Sequence, residues 1–148
     1  MAATTMLNPR AGALAAWGDA WEALRPGTVE ALLSLAAPDI RFSDPFQVVH
    51  GRDGLRRVIT HMFSRVPDPR FTVTDRAFGI EAGYLRWTFS WGPGGQAETI
   101  IGMSEIHLRG DGLVTAHIDH WDSGSQVYAR LPVLGAVIRM VARRVAGS

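Results

Sequence analysis

The 148-residue sequence contains no cysteine. Disulfides, a thiolate nucleophile and Cys-ligated zinc or iron–sulfur clusters are therefore excluded. It contains no lysine either, so all 15 basic residues are arginine, set against 14 acidic ones. A formal charge of +1 creates no strong field toward nucleic acid, and no nucleic-acid partner is expected. No apolar run approaches the roughly 18 residues of a membrane span. Met1–Met6 has neither the charged start nor the apolar stretch of a secretory signal, so a cytoplasmic protein is expected. No glycine-rich phosphate loop follows a strand and opens a helix, so no cofactor is implied.

What is present fits one globular domain over 1–148, with a core at about 10–125 and a C-terminal helix at about 131–146. Hydrophobic residues make up 47% and charged residues 20%, a globular composition. Five tryptophans are many for one small core. Large aromatic walls suit an apolar pocket or a subunit interface.

Leu14, Trp17, Ala20, Trp21 and Leu24 recur at helical spacing and predict a helix over Pro9–Leu24. Arg25-Pro26-Gly27 stops it. Thr28 is the expected N-cap of a second helix that ends at Pro38-Asp39. Ile40–Asp44 alternates as a short strand, closed by Pro45. Gly51–Gly54 reads as a turn before a third helix carrying Leu55, Val58, Ile59, Met62 and Phe63. Strands follow at Phe71–Thr74, Ala77–Ile80, Tyr84–Trp91, Ala97–Leu108 and Leu113–Trp121, with Arg109–Gly112 as a hairpin turn. Leu131–Val145 reads as a last helix. Its apolar side is expected to dock on the core or across a dimer rather than lie on a membrane. Helices first and meandering strands after predict an α+β fold, with helices on one face of an antiparallel sheet.

Four motifs join this order of elements: Phe42-Ser43-Asp44-Pro45-Phe46, Gly51-Arg52-Asp53-Gly54-Leu55, Gly110-Asp111-Gly112-Leu113-Val114 and His117-Ile118-Asp119-His120-Trp121-Asp122. Together they resemble the nuclear transport factor 2-like superfamily, in particular its SnoaL-like and ketosteroid isomerase-like domains. The resemblance implies a cone: a curved antiparallel sheet wraps the N-terminal helices and leaves an apolar pocket open at one end. It also implies a homodimer and a hydrophobic small molecule as ligand. The fold carries isomerases, cyclases, epoxide hydrolases, dehydratases and binding domains, so function rests on the site.

Asp44, before a proline at the end of the first strand, is similar to the proton-transferring base of ketosteroid isomerases. The competing reading is an aspartate that caps a turn. That family's oxyanion donors fall on Ala20 and Ser104 here, so only Ser104 retains a hydroxyl to offer an oxygen. Asp119 resembles an aspartate of limonene epoxide hydrolases, whose arginine falls near Arg86 and whose second aspartate falls on Thr88. It also suits the single acid/base aspartate of SnoaL-type cyclases. Alternation puts His117, Asp119 and Trp121 on one face, with His117 placed to orient or relay a proton. A structural ion pair is the alternative. The strand places His117 and His120 on opposite faces, which disfavours a metal site. Trp17, Trp21, Phe46, Met62, Arg86 and Trp121 complete the expected pocket. The leading expectation is an aspartate-based isomerase, cyclase or hydratase acting on a hydrophobic oxygenated substrate. The rival is a non-catalytic ligand- or partner-binding domain.

Overall fold

Apolar residues at three- and four-residue steps form α1 (Pro9–Glu22) in the computed structural model, which describes residues 8–95 and 98–146. Met1–Met6 and Ala97, on which two of the expectations fell, lie outside the described residues. Asn8 caps α1 by accepting from Arg10 N at 3.0 Å. Leu14, Trp17 and Trp21 are buried along its inner side.

Thr28 stands at the N-cap position of the second helix, as expected, but its side chain makes no capping hydrogen bond there. It ends a short 3-10 turn (Pro26–Thr28), where its hydroxyl accepts from Arg25 N at 2.8 Å and donates to Ala23 O at 3.0 Å. The second helix, α2 (Val29–Leu33), is brief and ends well before Pro38. Pro38 and Asp39 instead lie inside β1 (Ala36–Ser43). The register of β1 shifts between Ala36 and Arg41, and a proline without an N–H is tolerated at such an irregularity. Arg52 Nε braces the spot by donating to Ala36 O at 2.9 Å.

Val48–His50 forms β2, an edge strand absent from the sequence reading. The expected turn at Gly51–Gly54 is the first turn of α3 (Gly51–Arg65). Gly51 enters it at φ 77°, a conformation that glycine adopts without strain. The two expected strands at Phe71–Thr74 and Ala77–Ile80 are one, β3 (Arg70–Phe78). Its register shifts between Val73 and Asp75, and there Glu22 Oε1 of α1 accepts the Val73 N–H at 2.6 Å. A long meander follows: β4 (Gly83–Trp91), β5 (Glu98–Leu108) and β6 (Val114–His120).

The six strands run in the order β2-β1-β6-β5-β4-β3. The sheet is not wholly antiparallel, because β1 and β6 pair in parallel. The first and last long strands meet there across a connection long enough to permit it. The curved sheet holds α1 and α3 against its inner face, and Trp17, Leu32, Leu33, Ile40, Leu55, Ile59, Leu85 and Ile106 form the centre of the core.

Beyond β6, Asp122 accepts from Ser125 N at 3.0 Å and caps a short helix, α4 (Ser123–Gln126). The Gln126 side chain then acts as one more residue of strand. Its Oε1 accepts from Ile101 N at 2.8 Å, and its Nε2 donates to Ile101 O at 3.1 Å. Arg130 reaches Glu98 at 2.8 Å. The last helix, α5 (Pro132–Val145), does not dock on the core, one of the two placements expected for it. Its main packing partner is the preceding Tyr128–Arg130 turn, and only Gly135 of its residues is buried.

Candidate functional site

Strand alternation puts His117 and Asp119 on the inner face of β6. The β5–β6 register sets Ser104 directly across from Asp119, and the β1–β6 register sets Phe42 beside His117. His117 is 4% exposed and Ser104 1%, so their polar atoms must find partners within the protein.

They do so in two arms. In the first, Trp17 Nε1 donates to His117 Nδ1 at 3.0 Å. An indole N–H can only donate, so Nδ1 carries no proton and the ring proton sits on Nε2. That nitrogen lies 2.7 Å from Asp119 Oδ1 and donates to it. In the second arm, Trp87 Nε1 donates to Ser104 Oγ at 2.8 Å, and the Ser104 hydroxyl in turn donates to Asp119 Oδ1 at 2.5 Å. Both arms end on the same oxygen. Among the described residues no protein donor reaches Asp119 Oδ2.

Asp119 borders two spaces. Behind it is a void of about 20 Å³, roughly the room of one water, lined also by Ser104, His117, Trp21 and Trp87. In front of it is an open cavity of about 330 Å³ between α3 and the sheet. Val58, Ile59 and Met62 supply the helical wall, Phe71, Trp87, Phe89 and Ile100 the sheet wall, and Trp21 and Phe42 lie deeper. At the mouth, Phe46 meets Trp121 edge-on at 5.4 Å and Tyr128 at 5.9 Å.

Of the expected pocket residues, Trp21, Phe46, Met62 and Trp121 line this cavity, and Asp44 and Asp119 share it. Asp44 sits at the mouth with its carboxylate occupied. Oδ1 accepts from Phe46 N at 2.8 Å and Gln47 N at 3.0 Å, and Oδ2 accepts from Gln47 Nε2 at 3.1 Å. That is the turn-capping role weighed against the base. Trp17 is no pocket wall: it is fully buried behind His117. Arg86 is not in the cavity either. It alternates with the inward Leu85 and Trp87, so it points out of the sheet and reaches Thr74 Oγ1 at 3.2 Å. Ser104 does not offer its proton to a ligand oxygen, because Asp119 receives it.

Two residues escaped the sequence reading. Trp87 is the donor that sets the Ser104 hydroxyl. Gly102 makes that possible: a Cβ there would lie 2.4 Å from two ring carbons of Trp87. A glycine inside a strand signals such a close approach. On the opposite, outer face, Glu105 lies 2.6 Å from His107 Nε2 and 3.4 Å from His120 Nε2. Hydrogen bonding, from His107 foremost, holds the Glu105 carboxyl below its ordinary range. Among the described residues, no three His, Asp or Glu side chains converge as a group that could hold a metal ion.

This geometry has relatives of known structure. An NTF2-like protein from Burkholderia pseudomallei superposes with a TM-score of 0.69 at 16% identity, over 82% of this chain and 96% of that one. TerC, co-crystallized with polyporic acid, gives 0.67 at 17% identity, over 80% and 95%. A protein with a ketosteroid isomerase-like fold from Catenulispora acidiphila, in complex with trimethylamine, gives 0.64 at 19%, over 81% and 93%. At such identities the likeness is one of fold. Among curated proteins no sequence matches. The SnoaL-like domain pattern matches residues 16–117, a span that takes in Trp17, Trp87, Ser104 and His117 and stops two residues before Asp119. The chain therefore has the nuclear transport factor 2-like fold and belongs to the SnoaL-like domain family.

Proposed function

We propose that this protein holds a hydrophobic, oxygen-bearing small molecule in the α3–sheet cavity and that Asp119 moves a proton on it. One observation carries the reading. Asp119 Oδ1 is anchored by two buried donors, while Oδ2 has no protein partner among the described residues and its side chain borders an aromatic cavity. A carboxylate held at one oxygen and free at the other is a positioned proton acceptor. Oδ2 would take a proton from a carbon beside a carbonyl, leaving an enolate, and return it to another carbon of the same conjugated system. The balance closes without an outside reagent, and the net change is an isomerisation. His117 and Ser104 are positioning residues in this scheme, because their protons are spent on Asp119. The small molecules in two of the similar structures, polyporic acid and trimethylamine, support a ligand-holding role.

One observation favours passive binding instead. Ser104, His117 and Arg86 all fail to present a donor to the cavity, so none of them can stabilise an oxyanion. The two readings separate by experiment. Apolar ketones and enones are screened by quenching of tryptophan fluorescence, and the binders are incubated with protein in D2O. Catalysis predicts deuterium uptake beside the carbonyl, slowed by at least about 100-fold in Asp119→Asn, with binding retained. Tight binding with no deuterium uptake by the native protein would leave a passive carrier.

A further inference from the structure

We propose that α5 is a peripheral membrane-binding helix that seats reversibly on an anionic lipid surface. Its 14 residues span about 21 Å. At 100° per residue, Val133, Leu134, Val137, Met140, Val141 and Val145 fall on one broad arc, and all are between 42 and 82% exposed in the folded chain. Folding thus leaves the apolar face uncovered, which a soluble surface helix does not ordinarily do. Arg139 and Arg143, one turn apart, take the opposite side, and Arg144 falls within the apolar arc, between Val133 and Val137, in the last turn.

Charge selects the occupant. Residues 123–148 hold four of the 15 basic residues and none of the 14 acidic ones. Arg130 is held by Glu98, but two copies packed helix to helix would crowd Arg143 and Arg144 of each with no acidic side chain on either helix between them. An anionic bilayer surface supplies both missing partners. Its acyl boundary receives the valines, leucine and methionine, and its phosphates receive guanidinium groups that extend along the interface. The helix is short, so the attachment is reversible.

The mounting of α5 gives this surface a relation to the cavity. The Gln126–Ile101 clamp and the Arg130–Glu98 pair tie the root of the helix to β5. Tyr128, in the turn on which α5 packs, touches Phe46 at the cavity mouth. A helix seated on lipid would thereby hold the mouth close to the source of apolar molecules.

The test uses the full chain and co-sedimentation with vesicles of phosphatidylcholine alone or with phosphatidylglycerol added. Binding to the anionic vesicles only, weakening as salt shortens the Debye length, is the expected result. Arg143→Ser combined with Arg144→Ser should lower affinity about 30-fold. Val137→Asp combined with Val141→Asp should abolish binding, with circular dichroism and thermal unfolding unchanged because both side chains are exposed. Failure of the native chain to bind anionic vesicles at low salt would overturn the proposal, as would equal, salt-indifferent binding to both vesicle types. A third result would also overturn it: the Val137/Val141 variant turning a native dimer into a monomer while the native protein ignores vesicles. That outcome would assign the face to a second copy.

Discussion

The indole of Trp17 and the imidazole of His117 are joined by one 3.0 Å hydrogen bond, and that bond decides where the imidazole proton resides. Trp17 is on the first helix and His117 on the last strand, a hundred residues away, and both are buried. The contact links the packing of α1 to the orientation of Asp119. Trp17→Phe keeps the aromatic bulk nearest the helix but removes the donor, leaving Nδ1 as a buried acceptor without a partner. The expected cost is about 2–4 kcal/mol in urea unfolding, from the orphaned acceptor and the smaller ring. Nitrogen shifts of His117 should change from pure Nε2–H to a mixture of tautomers. A variant that keeps pure Nε2–H would show that Asp119, not Trp17, fixes the proton.

Gly102 and Trp87 form a second dependent pair. Two ring carbons of Trp87 lie where a Cβ on residue 102 would stand, and its Nε1 arrives at Ser104 only because residue 102 has no side chain. Gly102→Ala would push the ring away and break the bond to Ser104, with an expected loss of about 1–3 kcal/mol from overpacking. Hydrogen exchange at the Trp87 indole should accelerate together with the fall in stability. Unchanged exchange would mean that the sheet yields instead of the ring.

These pairs also show what the sequence could and could not disclose. The strands from Tyr84 onward were legible, because alternation and turn residues are local signals. The sharing of one face by His117 and Asp119 followed from the same period. The pairing of Ser104 with Asp119 was not legible, since register is set by two strands together. Arg86 was misplaced even though alternation with the inward Trp87 sends it outward; resemblance to an arginine-bearing site outweighed the period. The long β1 was hidden by Pro38, which reads as a breaker unless the bulge that accommodates it is known. The exposure of the apolar side of α5 is a property of the folded surface, beyond the reach of helical periodicity.

The outer face of the sheet is the place where we expect a second copy of the chain to bind. Tyr84, Ile101 and Met103 are exposed there on neighbouring strands, an apolar set framed by Arg86, Glu105 and His120. Sedimentation equilibrium should report a dimer for the native protein. Ile101→Asp combined with Met103→Asp should shift it to monomer, because a pair of carboxylates cannot be buried unpaired at low cost. The cavity lies on the other face, so ligand binding by the monomeric variant should persist. A native chain that stays monomeric across the concentration range would remove this face from consideration.

Glu105 offers a pH-dependent readout on that same face. Its carboxyl is held below the ordinary glutamate range, by the His107 hydrogen bond first and the His120 contact after it. The unfolded chain therefore binds a proton at a higher pH than the folded chain does. The resulting stabilisation is complete above the ordinary glutamate value of about 4.3 and drains away as pH falls through the lower folded value. Glu105→Gln cannot titrate, so it lacks this contribution at every pH. Above about pH 5 the native protein should exceed the variant by a few tenths to about 1 kcal/mol, the range of partly exposed pairs. Below the window the two stabilities should converge. Parallel curves across the acid range would show that Glu105 contributes through neutral hydrogen bonds that a glutamine reproduces.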